Sequence, residues 1–143
     1  MERFPEFVAN HLFLFSLLVA ILMLLAWNLF GDSLSGVKML LPADVTRLIN
    51  KEDAVVIDIR NESDFEKGHI INATNIPFAE LPNKLEKLKA YKQRDIIFCC
   101  ASGSVAPKEA RKMLNEGFEK VSCLKGGLLA WQNASLPLTK GKS

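Results

Sequence analysis

Two cysteines stand side by side, Cys99 and Cys100, at the end of an apolar run, and the chain continues Ala101-Ser102-Gly103-Ser104-Val105-Ala106-Pro107. A small, flexible loop between a strand and a helix lets successive backbone N–H groups point inward, and Pro107 suits a first helical turn. Such a loop gathers partial positive charge on whatever lies at its centre. A cysteine held there is favoured as the thiolate, the form that acts as a nucleophile. Cys100 is the residue at the loop entrance. Cys99 falls within the apolar run and Cys123 alternates with Val121 on another, so both read as packed side chains. Asp58 and Arg60, at the end of a third apolar run, read as an ion pair that supports the loop. His69, preceded by Gly68, reads as structural rather than as a base. Two histidines and three cysteines show no metal-ligand spacing, and neither metal nor cofactor is expected. Lys84, Lys87 and Lys89 form a basic helix face, ordinarily solvated, that beside an anchor can lie against anionic lipid.

The elements that must position these groups alternate along the chain. Residues 42–50 read as a helix opened by Pro42, with Val45, Leu48 and Ile49 on one side. Residues 54–59 are a continuous β-branched run, the pattern of a strand covered on both faces. A short polar helix follows, stopped by Gly68, and then a brief strand over 73–76 ended by Pro77. Phe78, Leu81, Leu85 and Leu88 fall at helical spacing. Residues 95–99 form the next buried strand, 107–114 a helix stopped at Gly117, 121–124 a strand, and 128–131 the core of a last helix. Strands alternating with helices imply a parallel sheet with helices on both faces. In such sheets ligands bind beyond the carboxyl ends of the strands, which is where the Cys100 loop falls.

The chain has 143 residues, 18 basic and 16 acidic, for a formal net charge of +2. That balance lacks the basic footprint of a nucleic-acid partner. With 24% charged and 49% apolar residues, wholesale disorder is excluded. The apolar residues are unevenly spread: no Asp, Glu, Lys or Arg occurs from Phe7 to Gly31. Within that stretch Leu12–Phe30 spans about 28 Å as a helix, close to the hydrocarbon thickness of a bilayer. Trp27 and Phe30 lie near one end, where interfacial aromatics are favoured. A cleaved signal peptide would have a basic start and a shorter apolar stretch. Ser33-Leu34-Ser35 passes for a cleavage site, but the start MERFPEF has as many acids as bases. A buried globular helix would not lack a polar face for five turns. The segment therefore reads as a retained anchor. Arg3 precedes it and Lys38 and Arg47 follow, a narrow charge margin for orientation. Three cysteines cannot form a paired disulfide framework, so free thiols place the large domain in a reducing compartment, the cytoplasm. Sequons beginning at Asn61, Asn72 and Asn133 carry no meaning there. The expected organisation is an anchor over 1–31 with its transmembrane part at 12–30, a linker over 32–40, a domain over 41–138 of about 100 residues, and a polar tail over 139–143.

At these residues the chain resembles the rhodanese-like domains. Val56-Ile57-Asp58-Ile59-Arg60 is similar to the family's strand ending in Asp-x-Arg. Asp64-Phe65-Glu66-Lys67-Gly68-His69-Ile70, continuing into Ala73, Asn75, Ile76 and Pro77, resembles its Gly-His-Ile segment. Cys100-Ala101-Ser102-Gly103 resembles the start of its active-site loop. Gly117-Phe118, Val121, Leu124, Gly126-Gly127 and Ala130-Trp131 resemble its closing signature. The resemblance implies an α/β/α sandwich around a central parallel sheet, here preceded by one transmembrane helix. It also implies a sulfurtransferase: Cys100 takes sulfane sulfur from a donor such as thiosulfate, becomes a persulfide, and passes the sulfur to a thiophilic acceptor. The cradle falls on Ala101, Ser102, Gly103, Ser104 and Val105, with Asp58, Arg60 and His69 in support. Single-domain, singly anchored members of this kind resemble small bacterial proteins of the inner membrane. Two departures stand out. Many active members carry Arg at the fifth position after the cysteine, where this chain has Val105, and Asn72 stands where the family often has Gly. An Arg supplies a fixed charge and a fork of donors for an oxyanion, so thiosulfate should be handled poorly. The expected partners are a sulfur donor and a thiol acceptor, the lipid bilayer, and a membrane protein if the domain is a binding module instead. A phosphatase or arsenate reductase on a related loop ranks third, because it needs the anion-clamping Arg.

Overall fold

Valine and isoleucine crowd the short strands on both sides, and the strands bury both. The computed structural model describes residues 11–30 and 36–142, and the chain divides into two units, Met1–Leu34 and Ser35–Ser143. Arg3 and the Ser33-Leu34-Ser35 site lie outside the described residues. In the first unit, α1 (Leu12–Phe30) is one unbroken helix of 19 residues with no residue buried. Its one hydroxyl is absorbed locally, Ser16 Oγ donating to the Phe13 carbonyl at 2.8 Å. By length and composition α1 is a candidate membrane span.

The second unit runs β1 (Lys38–Leu40), α2 (Pro42–Lys51), β2 (Val55–Asp58), α3 (Glu62–Lys67), β3 (Thr74–Asn75), α4 (Leu81–Leu88), β4 (Ile96–Cys99), α5 (Ala106–Asn115), β5 (Val121–Leu124) and α6 (Gly127–Asn133), with short 3-10 turns on either side of α4. The strands form one sheet in the order β1-β5-β4-β2-β3, and each pairing is parallel. Alternation along β2, β4 and β5 sends Ile57, Phe98 and Cys123 to one core, with Leu81, Leu88, Ala110 and Met113 of α4 and α5. It sends Val56, Ile97, Cys99 and Leu124 to the other, with Val45, Phe65, Leu128 and Trp131 of α2, α3 and α6. Helices therefore cover both faces, and the strands read as continuous apolar runs for that reason.

Two segments differ from the expectation at their margins. Lys38–Leu40, assigned by sequence to the linker, is the edge strand β1, in register with Ser122, Cys123 and Leu124. Three residues of mixed character carry no strand pattern, and the pairing partner lies more than 80 positions away. The tail is likewise tied down at its start. Thr139 exchanges backbone hydrogen bonds with His69 at 2.8 and 2.9 Å, and Gly141 N–H donates to the Glu66 carbonyl. Asn72 has φ 60°, the left-handed region that glycine favours and asparagine tolerates, which accounts for the difference from the family pattern. Because the strands are parallel, all of them leave the sheet at one edge, and the Cys100 loop is there.

Candidate active site

β4 ends at Cys99 and the chain turns through residues 100–105 into α5. Successive residues of a strand face opposite ways, so the two neighbouring thiols part company. Cys99 is fully buried in the core with α2, α3 and α6, while Cys100 joins the α4 and α5 side and keeps 5% of its surface exposed. Burial, and next the charge of Asp58 in register beside it, push the Cys99 thiol far up, so it stays protonated. Its Sγ donates to the Cys100 carbonyl at 3.5 Å. Cys123 is fully buried as well.

Around Cys100 the backbone curls as a cradle. Gly103 N–H donates to Cys100 Sγ at 3.0 Å, a contact stronger toward a sulfur anion than toward a neutral thiol. Gly103 has φ +84°, a conformation glycine adopts without strain. The loop carbonyls are occupied elsewhere: Leu128 N–H donates to Cys100 O at 2.8 Å and Leu129 N–H to Ala101 O at 3.1 Å. The first turn of α6 thus holds those oxygens away from the sulfur. Ser102 and Ser104 hydroxyls share a hydrogen bond at 3.3 Å. Val105 precedes α5 and is 42% exposed, and no cation takes its place in the loop sequence.

Gly126 and Gly127 form the underside of this cradle. A Cβ on Gly127 would lie 2.5 Å from Cys100 O and 2.6 Å from Gly103 N, and one on Gly103 would lie 2.9 Å from Gly126 N. The two connections therefore pack backbone against backbone, and only glycine leaves room. The sequence marks this pair as a motif but gives it no role, because the contact joins residues about 25 positions apart.

The supporting residues belong to the neighbouring exit. Arg60 binds Asp58 through Nε at 3.0 and 3.1 Å and Nη2 at 2.6 Å. Its Nη2 also donates to the Gly68 carbonyl at 2.8 Å, and its backbone N–H to Asp58 at 3.0 Å. Burial works against the Arg60 charge, but the hydrogen bonds and charge of Asp58 outweigh it and raise the guanidinium above its ordinary value. Asn75, to which the sequence reading assigns no role, donates to the carbonyls of both Asp58 and Arg60 at 3.0 and 2.9 Å. His69 is buried, stacked on Phe65 with ring centroids 3.6 Å apart, and its Nδ1 lies 2.8 Å from the Phe65 carbonyl. A carbonyl only accepts, so Nδ1 carries the proton. Asp58 projects with Cys99, on the face away from the Cys100 core, and His69 packs on that same side. The structure brings Cys100, Gly103 and the α6 amides together, and keeps Asp58, Arg60 and His69 apart from them, Asp58 and His69 buried and Arg60 partly exposed. Among the described residues no group of His, Cys, Asp and Glu is arranged to hold a metal.

Comparison with known proteins gives a consistent picture. The family model described as the rhodanese-like domain matches residues 41–134. The Escherichia coli K12 protein YibN, whose name describes it as uncharacterized, is 36% identical over 143 residues, covering 99% of this chain and 100% of its own. A thiosulfate sulfurtransferase of Pseudomonas aeruginosa shares the fold with a TM-score of 0.70 at 24% identity, covering 80% of this chain and 23% of that one. The solution structure of a rhodanese-like domain from Anabaena gives a TM-score of 0.63 at 25% identity, covering 72% of this chain and 79% of that one.

Proposed function

This chain belongs to the rhodanese-like domain family, and from that membership we propose that it is a membrane-tethered sulfur carrier or sulfurtransferase working through a persulfide on Cys100. The observation that carries the reading is the Gly103 N–H held 3.0 Å from Cys100 Sγ, in a loop whose Cys100 and Ala101 carbonyls are bound by α6. The thiolate attacks the outer sulfur of a donor. With thiosulfate, the new Sγ–S bond forms as the S–S bond to the sulfonate breaks, and sulfite leaves with the electron pair. The persulfide anion then rests against the loop amides, as an oxyanion does in acyl transfer. An acceptor nucleophile attacks the outer sulfur, and Cys100 departs as thiolate.

α1 acts as the retained anchor, with the domain on the cytoplasmic side, supported by the length of the apolar helix and by three free cysteines. A membrane-impermeant thiol reagent on intact cells then leaves Cys100 unlabelled, and labelling before lysis would reverse the orientation. The rival reading is a binding module that has lost turnover, and apolar Val105 in the place of a loop cation favours it. Mass spectrometry of the native protein separates the two. One sulfur atom added at Cys100, and lost on reduction, supports sulfur transfer. No sulfur from any donor supports the binding module.

A further inference from the structure

The sequence groups Lys84, Lys87 and Lys89 on one helix face, and the structure gives the three different surroundings. Lys84 is tied to Glu80 at 2.5 Å and Lys89 to Glu86 at 2.6 Å. Lys87 is exposed, and no hydrogen bond or ion pair holds it among the described residues. Lys84 and Lys87, but not Lys89, border a cavity of about 210 Å³ with Val55, Ile57, Ile76 and Leu88 in its walls and no carboxylate among its lining residues. The cavity follows from a short sheet edge. β2 runs over four residues, but β3 pairs only with the last two, Ile57 with Thr74 and Asp58 with Asn75. Val55 turns its side chain to the same core as Ile57, yet has no strand beside it on that side. α4 walls the resulting gap with Leu88 and the two lysines.

We propose that this cavity binds an aliphatic carboxylate of about six to eight carbons, with its chain on the apolar walls and its charged end at Lys87. The site is separate from the Cys100 loop, and the proposal does not rest on the persulfide reading. Size selects a short chain. The volume is below the roughly 300–1,000 Å³ of pockets for drug-sized ligands. It equals about seven water volumes of ~30 Å³, and a methylene group takes about the room of one water. Wall chemistry selects hydrocarbon, because Val55, Ile57, Ile76 and Leu88 offer nothing that a polar group could bond. Charge selects the other end: an ammonium without a partner stands at the border, and no acid on the lining competes for it. A chainless anion such as phosphate would meet the lysine and leave the apolar walls in water.

The test titrates octanoate and butanoate into the full-length protein in phosphatidylcholine nanodiscs by isothermal calorimetry, with empty nanodiscs as the blank. Each methylene moved from water to an apolar site is worth about a fourfold gain in affinity. Octanoate should therefore bind at least about tenfold more tightly than butanoate, even if only part of the extra chain is buried. Lys87→Gln should weaken octanoate about tenfold, the scale of one charge-assisted contact, whereas Lys87→Arg should retain most of the affinity. Lys89→Gln, outside the cavity, should change nothing. Amide hydrogen exchange reads the place, and octanoate should slow it over residues 81–91. Octanoate binding no tighter than butanoate overturns the proposal, because Lys87 then only shelters apolar surface with its stem. Equal weakening by Lys87→Gln and Lys89→Gln overturns it as well. So does the absence of octanoate heat above the blank with exchange over 81–91 unchanged. None of these outcomes touches sulfur loading at Cys100.

Discussion

β2 and β4 leave the sheet side by side, Asp58 in register with Cys99, yet their exits are built in opposite ways. After β2 every strong group is consumed internally: the carboxylate of Asp58 by Arg60, the guanidinium by Asp58 and Gly68, and the carbonyls by Asn75. After β4 the carbonyls of Cys100 and Ala101 are bound by α6 amides, and the Gly103 amide points at the Cys100 sulfur. The first exit is closed and can only hold shape. The second aims the Gly103 N–H at the Cys100 sulfur, the arrangement that electrostatic stabilisation of the proposed persulfide would need. Proximity to the sheet's carboxyl edge is common to both, so position alone does not make a site.

The comparison breaks most sharply at its two cysteines and its ion pair. Cys100→Ser removes the nucleophile, and sulfur loading should fall to the background of the reagent, whereas Cys123→Ser should retain it; mass spectrometry after tetrasulfide treatment reads both. Equal loss in the two variants would mean that the open exit confers no selectivity. Next comes Asp58→Ala, which strands a mostly buried guanidinium. Removing one partner of such a pair costs about 3–5 kcal/mol, measured as a lower urea midpoint, while alkylation of Cys100 in the remaining folded protein should be nearly unchanged. A slowed alkylation would show that the closed exit also shapes the open one.

Val105→Arg sharpens the comparison by adding charge to the exit that lacks it. One charge-assisted hydrogen bond is worth about 1.5–3 kcal/mol, so thiosulfate turnover, assayed with cyanide as acceptor, should rise by roughly one to two powers of ten. Fast turnover of the unaltered protein would mean that other groups already supply that charge. The smallest effect concerns Cys99, whose thiol burial raises from an ordinary 9.0. A proton held more tightly when folded stabilises the fold below about pH 9. That stabilisation is lost as pH climbs further, by up to about 1.4 kcal/mol per pH unit. Urea midpoints at pH 8 and pH 10.5 should therefore fall further apart for the natural protein than for Cys99→Ala. An equal fall in both would assign the alkaline slope to other groups.

The sequence by itself determined the elements and the family. Runs such as 54–59 and 95–99 are apolar on both sides, and that pattern has one outcome in a chain that alternates with helices: a parallel sheet covered on both faces. Cys100 before small residues and a helix, and an uncharged run of bilayer length, are equally local signals. What depends on partners far along the chain was decided by tertiary structure. Lys38–Leu40 became a strand because β5 offers it unpaired backbone, not because three mixed residues prefer to be extended. Thr139 left the tail because His69 exposes a matching donor and acceptor. Gly126 and Gly127 gained a role because their bare backbones press against Gly103 and Cys100. Local pattern specifies which residues leave water; which of them come together is set by pairing across the sheet, where separation along the chain carries no information.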